Sequence, residues 1–129
     1  MPAVVPIIDQ LSAIDTPWDP RQAATFNGQD IKVVYLQGDF IWHSHSDTDE
    51  VFLVQEGSMQ MGVREAGVES ALTLNKGDLY VVPMGQEHRP FNADARVLLF
   101  EKRGTVNTGD FEGEVPGHIH QTDGRSGSD

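Results

Sequence analysis

Turn signals recur about every ten residues along most of this 129-residue chain, and nothing between them has the length and period of a substantial helix. That punctuation constrains the fold more than any other feature, because a chain interrupted so often builds short strands. Asn27-Gly28 is a hairpin signal, since both central residues of a type I′ turn need positive φ. Ile31 to Gln37 reads as a strand with Ile31, Val33 and Tyr35 on one face and Lys32, Val34 and Leu36 on the other. Gly38-Asp39 turns into a strand at Phe40–His45. Ser46–Asp49 turns into Glu50–Gln55, and Glu56-Gly57 is expected to form another tight turn. Met59, Met61 and Val63 alternate with small or polar residues until Gly67, and Leu72 and Leu74 end the next strand. Lys76-Gly77-Asp78 leads to Leu79–Val82, Pro83-Met84-Gly85 stops that run, and Glu87–Phe91 and Ala95–Glu101 complete the series. Ahead of Trp18 one short helical turn, around Ile7 to Ile14, is expected. The fold class is therefore all-β, a sandwich or jelly roll.

The length suits one core and is too short for two. Residues 1–103 are expected to form that domain, and 104–129 a polar extension. The last stretch, Gln121 to Asp129, lacks apolar side chains and is expected to be disordered. Twenty acidic residues against nine basic ones leave a formal charge of −11, which repels phosphate backbones and anionic lipid headgroups. Nucleic acid and membranes are therefore poor partners, and neither is expected. The opening residues lack a basic start, and Pro6 and Asp9 break their apolar run, so no signal peptide is expected. There is no cysteine, hence no disulfide and no thiolate site, which favours a reducing, cytoplasmic setting.

The chemistry concentrates at His43-Ser44-His45, Glu50 and His88. Side chains alternate along a strand, so His43 and His45 point the same way and deliver two nitrogen donors from one face. Four polar residues let the chain reverse, and Glu50 then opens the next strand on the face of Phe52 and Val54. His88 must arrive from elsewhere, behind a corner in which Pro83 stiffens and Gly85 frees the backbone. Three imidazoles and a carboxylate in this arrangement point to a metal site. A second pair, His118-Ile119-His120, has no acid, turn or third histidine after it and is expected to face solvent. The sharper alternative for 104–120 is a lid over the mouth of the fold.

With its spacings, this set resembles the cupin superfamily. The first cupin motif appears as Gly38, His43, His45, Glu50 and Gly57, with four rather than five residues between Gly38 and His43, a departure that bears on a turn and not on a ligand. The second appears without departure as Gly77, Pro83, Gly85, His88 and Asn92. The motifs cover 38–57 and 77–92, and the flanking strands extend the resemblance to about 18–103. The wider pattern is similar to small bacterial single-domain cupins of the RmlC-like, type-2 kind. The resemblance implies a small jelly-roll β-barrel whose mouth holds one divalent transition metal on His43, His45, Glu50 and His88. An N₃O set suits Fe, Mn, Ni, Co, Zn or Cu. Glu50 is the candidate catalytic group as well, because in place of ligation it can orient a water or act as a base.

Ile41, Phe52, Val54, Tyr35, Trp42, Met59 and Met61 are core residues first and pocket candidates second, and Trp42 alternates away from His43. Arg89 and Arg96 are candidates for orienting an anion, although surface solvation accounts for them more simply. Gln86 and Glu87 are rim candidates, and Asn92 is expected to bond loop backbone. Function divides into two classes. One is a metal-dependent enzyme acting on a small carbonyl- or oxygen-rich molecule, with dioxygenase-type oxidation ahead of isomerase, lyase or cyclase chemistry. The other is a non-catalytic metal or small-ligand binding module. A metal-free epimerase is disfavoured by the intact ligand set. Open sheet edges make a homodimer the expected assembly.

Overall fold

A computed structural model describes residues 3–125. One helix, α1 (Ile7–Ala13), precedes six strands: β1 (Arg21–Phe26), β2 (Gln29–Gly38), β3 (Glu50–Glu65), β4 (Val68–Asn75), β5 (Leu79–Val82) and β6 (Glu87–Lys102). They form one antiparallel sheet in the order β1-β2-β6-β3-β4, with β5 also paired to β3. This is the all-β jelly-roll architecture expected. The sheet curls without closing into a continuous barrel, since β1 and β4 have only one partner each.

Asn27 and Gly28 both take positive φ (50° and 74°), so β1 and β2 join through the expected hairpin. Glu56-Gly57 is different. It does not turn the chain back; it bends β3, whose pairing with β6 shifts register between Val54 and Glu56 and again between Ser58 and Gln60. Gly57 is required there, at φ 77°, because a Cβ would sit 2.0 Å from the carbonyl oxygen of Asp94. Asn92, at φ 47°, lies in the matching irregular part of β6, and its N–H donates to Asp39 (2.8 Å). Glu87–Phe91 and Ala95–Glu101 are thus one bent strand. Phe40–His45 is the other departure: it is irregular backbone with a single bridge, His43 to His88.

The two faces of the sheet carry separate apolar clusters. The inner one includes Trp18, Val34, Leu36, Phe40, Phe52, Val54, Val97 and Leu99, with Trp18 stacked on Phe40 at 4.9 Å between ring centres. The outer one joins Val33 and Leu98 to Leu11 and Ile14 of the helical segment. Each such buried aliphatic residue contributes on the order of 1.5–3 kcal/mol. The helix has no side-chain cap at its start, and Ile14 ends it in extended conformation. The Arg96 guanidinium donates to the carbonyls of Leu11 and Ile14, satisfying acceptors that a helix end leaves free.

Residues 104–125 pack back over the inner face. Ile119 is buried in the inner cluster, Thr122 exchanges bonds with Asn107, and Gly124 accepts from the Gln22 N–H (2.9 Å). The stretch 121–125, for which disorder was expected, is held by these bonds; 126–129 lie outside the described residues. Among the described residues no helix is long and apolar enough to cross a membrane.

Candidate metal centre

Two backbone devices bring the four candidate ligands together. His43 N–H donates to the His88 carbonyl (3.1 Å) and His88 N–H donates to the His43 carbonyl (2.9 Å), so a single ladder rung fixes their separation. The Pro83–Gln86 corner docks on the loop after His45: Gly85 N–H donates to the His45 carbonyl and Met84 N–H to Asp49 Oδ1, both at 2.8 Å. Thr48 anchors that loop from the other side by accepting from Lys102 N–H (2.9 Å). Glu50 opens β3 and faces inward with Phe52, as alternation requires.

His43, His45, Glu50 and His88 are all buried, and one ligand atom from each lies within 4.8 Å of the others. His43 Nδ1 donates to the Ile41 carbonyl and His88 Nδ1 to the Gln86 carbonyl, each at 2.9 Å. A carbonyl can only accept, so the ring proton sits on Nδ1 and Nε2 is left with its lone pair. His88 Nε2 is 3.1 Å, and His45 Nε2 3.4 Å, from the same oxygen of Glu50. His45 Nε2 has no hydrogen-bond partner among the described residues. Lone pairs converging on a carboxylate oxygen in a dry interior repel unless a cation or a proton lies among them. A metal bound at about 2.0–2.2 Å places its ligands about 3–3.5 Å apart, and these separations match. The cluster therefore suits one divalent transition-metal ion per chain.

Burial, followed by the neighbouring His88 imidazole, pushes His43 down to about 3 from its ordinary 6.5. The imidazole is neutral at neutral pH, as a ligand must be. Burial opposes ionisation of Glu50 too, but the neighbouring His45 and His88 imidazoles outweigh it and hold the carboxyl well below the usual range. Behind Glu50 lies a second buried carboxyl, Glu101, directly opposite it in the β3–β6 register. Burial and the Glu50 charge push the Glu101 carboxyl well above the usual range.

Sequence reasoning missed several groups that shape the site. Trp18, Pro20, Phe40, Pro90, Leu99 and Asn107 line a cavity of about 30 Å³ against His43 and Glu50, and of the apolar candidates read from the sequence only Phe52 joins them. Val54, Met59 and Met61 are plain core, and Tyr35 packs on the outer face. Trp42 points away, as its alternation indicated, and lies under the Arg64 guanidinium at 4.4 Å. His45 also borders a cleft of about 220 Å³ with Ser46, Asp47, Gly104–Val106, Gly109 and Asp110. Asp110 grips the His-x-His segment by accepting from Ser44 N–H (3.0 Å) and Oγ–H (2.7 Å), and the Ser44 hydroxyl holds its carboxyl below the usual range. Neither arginine candidate reaches the site: Arg96 ties down α1, and Arg89 lies over Phe91 and Trp42. Gln86 bonds the Arg64 carbonyl, and Glu87 pairs with Arg64 (2.8 Å). His118 and His120 are exposed, although Ile119 between them is not. Only a contact between distant segments could have revealed Asp110 or Trp18, and the sequence carries no periodic signal for such a contact.

A family profile described as a cupin domain matches residues 32–101, more than half of the chain. A solved structure of a cupin-2 domain containing protein from Shewanella frigidimarina is 36% identical, with a TM-score of 0.68 over 77% of this chain and 93% of that one. The Uncharacterized protein YdbB of Bacillus subtilis is 29% identical over 49% of this chain, a match spanning 53% of its own length. The hydroquinone 1,2-dioxygenase of Sphingomonas sp. TTNP3, solved with 4-hydroxybenzoate bound, superposes with a TM-score of 0.67 over 78% of this chain and 32% of that one. At 18% identity that likeness extends to the fold alone.

Proposed function

This chain belongs to the cupin family, and from its buried histidine–carboxylate cluster we infer that it is a metal-dependent enzyme acting on a small molecule. The observation that carries this is the set of Nε2 lone pairs, released by Nδ1 bonds to the Ile41 and Gln86 carbonyls, converging on the Glu50 carboxylate. In this reading His43, His45, Glu50 and His88 are the ligands. With neutral histidines and one carboxylate, a bound divalent ion keeps net positive charge and supplies Lewis-acid or, for iron or copper, redox chemistry.

The residues around the cluster support a substrate class. The cavity against His43 and Glu50 is small and lined mostly by apolar side chains. The larger cleft beside His45 is the approach for an organic substrate. Among the described residues its walls carry Asp47, Asp110 and backbone groups, with Lys102 neutralised against Asp47 (3.4 Å), which favours a neutral hydroxyl- or carbonyl-bearing molecule over a carboxylate or phosphate. A small apolar chamber next to a polar entrance supports dioxygenase-type oxidation ahead of isomerase or lyase chemistry. Glu50, whose carboxyl is held well below the usual range beside His45 and His88, is a weak base, so ligation is its first role and base catalysis its second.

A non-catalytic binding module is the second reading, and the narrowness of the 30 Å³ cavity favours it. Elemental analysis of protein purified without chelator or affinity nickel, then oxygen uptake by the iron form with small phenols and carbonyl compounds, separates the two. Stoichiometric metal with no turnover of any candidate favours the module; absence of metal after supplementation removes the metal-dependent enzyme and the metal-binding module alike. A homodimer is the assembly we expect, through the exposed apolar side chains of Leu79, Val81 and Met84 near the sheet edge. A cytoplasmic setting fits the absence of cysteine.

A further inference from the structure

Lys32 and Glu101 are a fully buried ion pair that the ligand set does not require. Their side chains are 0% and 1% exposed, and Lys32 Nζ lies 2.6 Å from Glu101 Oε2. Lys32 shares the inward face of β2 with Val34 and Leu36, a position where an aliphatic residue would fill the same space. Replacing buried ion pairs by apolar residues is often neutral or stabilising, so packing alone does not explain this one. Glu101 stands directly opposite Glu50 across β3 and β6, and like charges in that position oppose each other. Lys32 Nζ also donates to the Thr105 carbonyl (2.7 Å), which fixes its head group from the C-terminal segment. With Oε2 held by Lys32, the other oxygen of Glu101 has no hydrogen-bond partner among the described residues, and Glu50 is the residue directly across the register from it.

We propose that Lys32 and Glu101 are positioning residues for the metal centre: Lys32 fixes Glu101, and Glu101 holds the Glu50 carboxylate so that Oε1 is aimed between His45 and His88. The proposal rests on Glu50 being a ligand. The chain Thr105–Lys32–Glu101–Glu50 then sets the direction from which the carboxylate meets the ion, and Lys32 offsets the negative charge gathered behind it.

Titration of the metal-free protein with Co²⁺, in competition with a chromophoric chelator and with the visible Co²⁺ spectrum recorded, tests this. E101D withdraws the carboxyl from Glu50 while keeping a carboxyl group, and K32M/E101L replaces the pair by apolar groups. Both are expected to weaken Co²⁺ binding about 10- to 100-fold and to alter the spectrum. E101Q, whose amide donates to Glu50 and accepts from Lys32, is expected to keep the wild-type spectrum. Far-UV circular dichroism of each metal-free variant shows whether it is folded, and E101D decides the question if K32M/E101L is not. Wild-type affinity and spectrum in E101D overturn the proposal, as does an E101Q spectrum matching that of K32M/E101L. Failure of the wild-type protein to bind Co²⁺ overturns the metal reading itself.

Discussion

Acidifying the metal-free protein from pH 6.5 to 4.5 is expected to remove roughly 2 kcal/mol of stability through His43. In the folded state burial keeps this imidazole neutral down to about pH 3, whereas in the unfolded chain it titrates near 6.5. Between those values the unfolded state binds one more proton, so stability rises with pH across the window and is lost as acid is added. The full slope is about 1.4 kcal/mol per pH unit, reached only once the unfolded imidazole is mostly protonated, hence roughly 2 kcal/mol over the two units. Glu50 adds to the loss below its ordinary 4.5, because its folded carboxyl stays ionised where the unfolded one protonates. The assay is urea unfolding followed by circular dichroism, in chelator, at half-unit steps of pH. At about 1–3 kcal/mol per M of urea, the midpoint should move by about 1 M. His43→Gln isolates the effect, since an amide does not titrate there and the stability gap between the two proteins should change by roughly 2 kcal/mol across the window. Parallel pH profiles for wild type and His43→Gln between pH 6.5 and 4.5 would refute the assignment of this acid sensitivity to a buried neutral His43.

Saturating divalent metal at about 100 times its dissociation constant should add about 2.7 kcal/mol at neutral pH, read as a rise in melting temperature that chelator reverses. His45→Ala and His88→Ala should lose stoichiometric metal by elemental analysis, whereas His120→Ala, at an exposed position outside the cluster, should retain it. Gly57→Ala should destabilise by more than the ~1–2 kcal/mol of a left-handed alanine, because its Cβ meets the Asp94 backbone; Gly28→Ala, with open space around it, should lose only that. Equal losses of melting temperature in the two variants would contradict the close approach at Gly57. Truncation after Arg103 removes the Asp110 grip on Ser44 and the Ile119 contact, and should speed metal release to chelator; unchanged release would show that 104–125 is no cover.

Much of the site was legible because its parts are local. His43 and His45 are two residues apart, Glu50 follows one short loop, and the Pro83–Gly85 corner announces His88. The alternation of Ile31–Gln37 assigned both faces of β2 correctly, Lys32 included. Local signals misled where a turn residue serves a bend. Glu56-Gly57 has turn composition, yet β3 runs through it, because pairing with β6 on both sides outweighs the local preference for reversal. Phe40–His45 has strand composition, yet its single bridge to β6 leaves it irregular.

By itself the amino-acid sequence determined most of the strand-and-turn rhythm, the two faces of β2 and the four residues that gather at the site. Those depend on spacings of a few residues, which the two-residue period of a strand and the geometry of tight turns translate directly into position. Only the tertiary structure decided what surrounds them. Glu101 meets Glu50 through cross-strand register, Trp18 and Asn107 reach the cavity from opposite ends of the chain, and Asp110 binds Ser44 across sixty-six positions. Such contacts arise when the sheet curls and the C-terminal segment packs across its inner face, and no local period encodes them.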